Sequence, residues 1–178
     1  MGGAGGSGAD VCLAEGEAGQ TVALLAAADC AIQAGASHSG DGRDGIDLDG
    51  VAALEQAPSA LDTETLRRLG AAMRAMQMAG AMQGLLDMAV DYAQERVAFG
   101  RPIGKFQAVQ HLLARLAEET AAALAAAGSA AYALDNLPLD GEAVFIEVAT
   151  AKIRAGEAAG EVALIAHQTH GAIGFTLE

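Results

Sequence analysis

The chain has no tryptophan, and aromatic residues fill only 3 % of its 178 positions. A β-sandwich as the main architecture is excluded, because such cores rely on aromatic and β-branched side chains. Basic residues are scarce too: ten Lys and Arg stand against twenty-three Asp and Glu, a formal net charge of −13. Binding nucleic acid or an anionic membrane surface needs a basic stripe, so both are excluded as partners. No stretch reaches the ~18 continuous apolar residues of a membrane span. The nearest, Thr120 to Leu134, is mostly alanine. The first nine residues hold neither a basic nor an apolar run, so no signal peptide is visible. Cys12 and Cys30 lie far apart, with neither metal-ligand nor disulfide spacing; they read as two buried thiols in a reducing cytoplasm.

What is abundant is alanine, about a quarter of the chain, within a hydrophobic content of 52 %. Thin side chains favour closely packed helices. The composition changes near residue 58 and divides the chain into three parts. Residues 1–9 read as a flexible Gly-rich tail. Residues 10–58 read as a small β-rich fragment, too small for a good core of its own. Its strands are Val11 to Leu13, Thr21 to Leu25 and, more weakly, Ile46 to Val51. Residues 59–178 read as an up-down bundle of long antiparallel helices, so the fold class is mainly α.

The first helix starts at Asp62 or Thr63, with Glu64 suited to the dipole of the first turn. Its apolar face falls at Leu66, Leu69, Met73, Met76 and Gly80, and it runs to about Ala98, where Gly100-Arg101-Pro102 stops it. The second helix runs from about Phe106 to Leu134, with Val109, Leu112, Leu113, Leu116 and Leu124 as its buried stripe. Asp135 to Pro138 with Gly141 makes the next turn. The third runs from about Glu142 to His170. Val148, Ala151, Ala155, Ala159 and Val162 form its small-residue seam, Gly156 and Gly160 let a neighbouring backbone approach, and Gly171 is the natural residue past its end. Bundles of this kind normally close with four helices, and Phe175-Thr176-Leu177 turns apolar again at the end. The sequence therefore reads as cut at both ends.

Several motifs resolve to bland readings. Gly3 to Gly8 matches a dinucleotide-binding glycine pattern formally, but no strand precedes it. The acidic run Asp41, Asp44, Asp47, Asp49 with Gly50 fails as a calcium loop. With Gly50 as its sixth residue, Gly45 falls at position one and Gln56 at position twelve, where acids are needed. His167 and His170 share a helix face without a third ligand, so no metal site is expected; His111 reads as a half-buried helix residue. No nucleophile with a partner base can be assembled.

Two stretches are left over. One is Tyr92 to Gln110, the other His167 to Thr176. Arg96 stands in the last turn of a helix, where it either caps that end or uses its fork to grip a pyrophosphate. Gln107 opens the next helix, where free backbone N–H groups attract anions. Gln168, Gly171 and Gly174 make a helix end and a loop that something flat can approach closely.

These stretches resemble the C-terminal helical domain of the acyl-CoA dehydrogenases. The family's E-R-x-x-F-G-x-P-I-x-x-F-Q segment is matched from Glu95 to Gln107, and its Q-x-x-G-G/A-x-G-F-T-x-E segment from Gln168 to Glu178. They stand in family order at about the family's separation. The resemblance covers about residues 60–178; residues 9–58 resemble, less specifically, the tail of the family's middle β-domain.

The resemblance implies a flavoprotein oxidoreductase of fatty acid metabolism, oxidising an acyl-CoA thioester to the 2,3-enoyl-CoA with FAD. It implies that Arg96 binds the pyrophosphate of a partner protomer's FAD, with Phe99 packed beside it and Gln107 on the same cofactor. Gln168, Gly171, Ala172 and Gly174 are implied to fit the adenosine part. A homo-oligomer, a dimer or dimer of dimers, is implied as well. No catalytic residue is expected in this chain. Most members carry the catalytic Glu beyond the matched segment, and a minority carry it where this chain has Gly70. Three readings follow: a fragment or subunit of such a dehydrogenase; a non-catalytic helical subunit that dimerises and caps the FAD of a complete paralogue; or another flavoenzyme on this scaffold, such as an acyl-CoA oxidase or a flavin monooxygenase.

Overall fold

The computed structural model describes residues 9–16, 19–38, 40 and 42–171. The Gly-rich start, the acidic residue Asp41, and the positions Ala172 and Gly174 lie outside the described residues. The chain divides near residue 64 into two compact units.

The first unit is built on strands. β1 (Ala9–Gly16) and β2 (Gly19–Ala26) form an antiparallel hairpin in which Leu13 pairs with Val22 and Gly16 with Gly19. A 3₁₀ turn, Ala27–Asp29, leads to β3 (Ala31–Gln33), which pairs with β4 (Gly45–Asp47) in a separate ribbon. The third strand of the main sheet is β5 (Glu55–Pro58), lying against β2. The alternating segment from Ile46 is therefore a strand, but a shorter one than Ile46 to Val51 and in another sheet. Asp47 accepts a hydrogen bond from the Asp49 N–H at 3.0 Å, and this Asx turn ends it early. Cys30 is half-buried, not buried as expected, and its Sγ donates to the Ala26 carbonyl at 3.5 Å. The side chain of Cys12 lies outside the described residues.

The second unit is the helical bundle. α1 (Thr63–Glu95), α2 (Gln107–Asn136) and α3 (Glu142–His170) run up, down and up. The antiparallel sense of α2 and α3 is visible in their cross-links. Arg115 pairs with Glu161 at 3.1 Å, Arg154 pairs with Glu119, and Ser129 donates to Glu147 at 2.7 Å. At the other end of the core, the Arg68 guanidinium reaches the Leu139 and Gly141 carbonyls at 3.4 Å and lies over the Phe145 ring.

The core is made mostly of alanine: Ala72, Ala75, Ala79 and Ala89 from α1, Ala123, Ala127, Ala130 and Ala133 from α2, and Ala151, Ala155 and Ala158 from α3. Met82, Leu116, Val144, Val148, Val162 and Ile165 supply the bulk between them. Two buried hydroxyls are satisfied within their own helix, Thr120 by the Leu116 carbonyl and Thr169 by the Ile165 carbonyl, each at 2.8 Å.

Small residues face inward, and that corrects the expected stripes. In α1, Leu66 is 47 % and Met73 61 % exposed, Gly80 is exposed, and Leu69 and Met76 are only half-buried. The spacing of three and four holds, but the buried face is rotated onto the alanines. In α2, Leu116 is buried, Val109, Leu112 and Leu113 are half-buried, and Leu124 is exposed. His111 is exposed rather than half-buried. In α3 the seam holds at Val148, Ala151, Ala155 and Val162, with Ala159 half-buried beside buried Ala158. Among the described residues no atom lies within 4 Å of where a Cβ would stand on Gly156 or Gly160, so none of them uses the room these glycines leave. Among the described residues no helix is long and apolar enough to cross a membrane.

Candidate functional site

α1 stops at Glu95, three residues before the expected end at Ala98. The Arg96 N–H still donates to the Tyr92 carbonyl at 2.8 Å, so Arg96 is the last residue held by the helix. A tight ribbon then follows. β6 (Val97–Ala98) pairs with β7 (Arg101–Pro102), and Phe99-Gly100 is the turn between them. Both turn residues have positive φ, 51° for Phe99 and 80° for Gly100. Such a pair suits a two-residue hairpin. Gly100 is thus a hairpin residue and not a helix cap. Pro102 stands opposite Val97, and the next bond of the ladder runs from the Ile103 N–H to the Arg96 carbonyl at 2.8 Å. Proline is tolerated there because that position needs no donor.

Phe99 is the unusual residue. A bulky side chain in the left-handed region costs roughly 1–2 kcal/mol. Phe99 is 96 % exposed, so among the described residues no burial offsets that cost. One edge of its ring meets Phe106, with ring centroids 6.2 Å apart at 86°.

A 3₁₀ turn, Ile103–Lys105, leads into α2, whose first residue, Gln107, is exposed. The turn is pinned on both sides. A Cβ on Gly104 would lie 3.0 Å from the Ala93 carbonyl oxygen, so only glycine passes α1 comfortably. Gln110 Nε2 donates to the Gly104 carbonyl at 3.0 Å. The Arg96 side chain is exposed, and no ion pair to it is found among the described residues.

The second motif arrives at the same end of the bundle. Tyr92, one turn before Arg96, stacks on His170 with centroids 4.5 Å apart and rings inclined at 28°. Its Oη donates to the His170 carbonyl at 3.4 Å. His170 is held in turn by a contact of 2.8 Å between Nδ1 and the Ala166 carbonyl. Gly171 follows with φ 66°, as a helix-ending glycine should, and its N–H reaches the His167 carbonyl. Gln168 is exposed.

The structure therefore brings Arg96, Phe99 and Gln107 into one loop and sets Gln168 and Gly171 at the neighbouring helix end. Ala172 and Gly174 lie outside the described residues. Tyr92, Gly104, Phe106 and Gln110, which hold this end together with His170, carry no role in the sequence motifs; His170, expected to cap the helix end or lie at the surface, instead stacks on Tyr92. An open apolar hollow of about 240 Å³ lies nearby, lined by Leu85, Met88, Ala163, Ala166, His167 and His170, and none of the expected site residues among those described lines it.

Comparison with known proteins gives the family. The family model described as acyl-CoA dehydrogenase, C-terminal domain, matches residues 63–178. A 3-sulfinopropanoyl-CoA desulfinase from Paraburkholderia xenovorans is 41 % identical over 109 residues, 61 % of this chain and 26 % of that protein. Among solved structures, the ChsE4-ChsE5 complex from Mycobacterium tuberculosis aligns with a TM-score of 0.74 and 29 % identity, over 94 % of this chain and 46 % of that one. A glutaryl-coenzyme A dehydrogenase in complex with glutaryl-CoA aligns with a TM-score of 0.68 and 30 % identity, over 89 % of this chain and 42 % of that one. The chain thus spans less than half the length of these relatives, and it belongs to the acyl-CoA dehydrogenase family through that family's C-terminal helical domain.

Proposed function

We propose that the chain supplies the helical part of an FAD-dependent acyl-CoA dehydrogenase, and that the α1–α2 ribbon and the end of α3 hold the nucleotide half of a neighbouring protomer's FAD. One observation carries the reading: an exposed Phe99 held in a strained turn, three residues from an Arg96 with no ion pair among the described residues. Such a pair fits a flat, doubly anionic ligand. Arg96 would take the pyrophosphate, its planar fork matching phosphate oxygens two at a time. Phe99 would pack beside it, and Gln107 would add a contact where the first N–H groups of α2 are free. Gln168, Gly171, Ala172 and Gly174 would take the adenosine part.

When bound, FAD supplies a hydride acceptor for the β carbon of an acyl-CoA, giving the 2,3-enoyl-CoA in the complete enzyme. The residues named here bind and orient; none of them is a base. Gly70 is exposed on α1 and offers no carboxylate for the α proton. A fragment or subunit role follows, with the acyl-CoA thioester as substrate of the whole assembly. Self-association is supported by large apolar side chains left exposed along the helices, among them Met73, Met88, Ile153 and Leu164.

A second reading, a non-catalytic subunit that dimerises with and caps the FAD of a complete paralogue, is supported by the absence of a base at Gly70 and by the likeness to a two-component complex. Flavin content tests the common core of both. Arg96→Ala in the assembled protein should cut retained FAD about tenfold or more. Unchanged FAD content in that variant counts against both readings. Co-purification then separates them: a subunit of the second kind brings a longer acyl-CoA dehydrogenase with it.

A further inference from the structure

The β6–β7 ribbon carries a second arginine that no motif assigns. Ala98 pairs with Arg101 and Val97 with Pro102, and the bond from the Ile103 N–H to the Arg96 carbonyl extends the ladder by one pair. Side chains alternate between the two faces of a ribbon, so positions 96, 98, 101 and 103 share one face. Arg96 and Arg101 are diagonal neighbours there, ~7–8 Å apart at Cα. The other residues on that face are Ala98, a single methyl, and half-buried Ile103 opposite Arg96.

Arg101 is also held in place. Its guanidinium carbon lies 4.2 Å from the Phe106 ring centroid, and Phe106 meets Phe99 edge-on. A guanidinium laid on a ring keeps its N–H edge available for an anion. Arg101 is exposed, and no ion pair to it is found among the described residues. The surrounding sequence is cationic in an acidic chain. Arg96, Arg101 and Lys105 are three of only ten basic residues, and no Asp or Glu occurs between Glu95 and Glu118.

We infer that Arg101 is a second anion-binding residue, which works with Arg96 as a two-guanidinium clamp on the diphosphate of a nucleotide. This rests on reading this end as a dinucleotide site. One fork neutralises one phosphate; two forks on one face suit a diphosphate. Phe106 fixes the tilt of the second fork.

The test is calorimetric titration of the full chain, in the assembly in which it purifies, with ADP, AMP and adenosine. Arg101→Gln should weaken ADP about tenfold, AMP less, and adenosine by under about twofold. Arg101→Lys keeps the charge and loses the fork, so it should weaken ADP by an intermediate factor with adenosine unchanged; it also serves should the Gln variant fail to fold. Unchanged ADP affinity in Arg101→Gln overturns the inference. An equal loss for ADP and adenosine overturns it too, because the arginine then only supports Phe106. Arg96→Gln separates the two levels. If it weakens ADP while Arg101→Gln does not, the second cation alone falls. If neither variant changes ADP affinity, the dinucleotide reading falls with it.

Discussion

Tyr92 and His170 stack across 78 residues of sequence, and the tyrosine hydroxyl donates to the His170 carbonyl at 3.4 Å. The contact ties the end of α1, which carries Arg96, to the end of α3, which carries Gly171. Tyr92→Ala should lower stability by about 2 kcal/mol, through the lost ring packing and the lost aromatic pair. Tyr92→Phe keeps the ring and gives up one long hydrogen bond, so its cost should be about 0.5 kcal/mol. Urea unfolding of the three proteins measures both.

Phe99 sets stability against binding. Its φ of 51° is relieved by glycine, so Phe99→Gly should stabilise the fold by up to about 1 kcal/mol despite the entropy that glycine adds to the unfolded chain. The same change should lower FAD retention. A variant that melts higher and holds less flavin is the expected outcome; one that melts lower shows that the turn is not strained.

Gly104 is the close-approach point. A methyl there meets the Ala93 carbonyl oxygen at 3.0 Å, tighter than ordinary contact. Gly104→Ala should push the 3₁₀ turn from α1 and cost about 1 kcal/mol or more. Faster amide exchange at Ile103, whose N–H bonds the Arg96 carbonyl, should report the loosening.

Gly156 and Gly160 test self-association. Both lie within α3 with open space around them. Alanine at either position should raise the stability of the isolated chain by about 0.5–1 kcal/mol. If they seat the backbone of a second copy, the double variant also dissociates more readily in sedimentation. Stabilisation without any change in association removes that seat from the account.

Much of this was readable in advance, for local reasons. α3 starts at Glu142 and ends at His170 because Gly141 and Gly171 mark it on both sides. The end of α1 was not, because Val97 and Ala98 contain no helix breaker; the ribbon comes from pairing with Arg101 and Pro102 across the turn. On α1, and at Leu124 of α2, reading large apolar residues as inward-facing misplaces the stripe. In a core this rich in alanine, the thin residues set the helix spacing and Leu66 and Met73 are turned outward. The Ile46 segment was legible as a strand, but its partner was not, since period-two alternation carries no information about which strand lies alongside. The motif residues were found as two separate groups. What unites them, Tyr92 on His170, joins positions far apart in sequence, and no spacing rule reaches that distance.

The most direct measurement is a crystal structure of the assembled protein with FAD bound. The account predicts the pyrophosphate of one protomer's FAD within about 3 Å of the Arg96 guanidinium of its neighbour, with Phe99 against the same cofactor. An FAD bound away from the β6–β7 ribbon, with Arg96 in solvent, would contradict it.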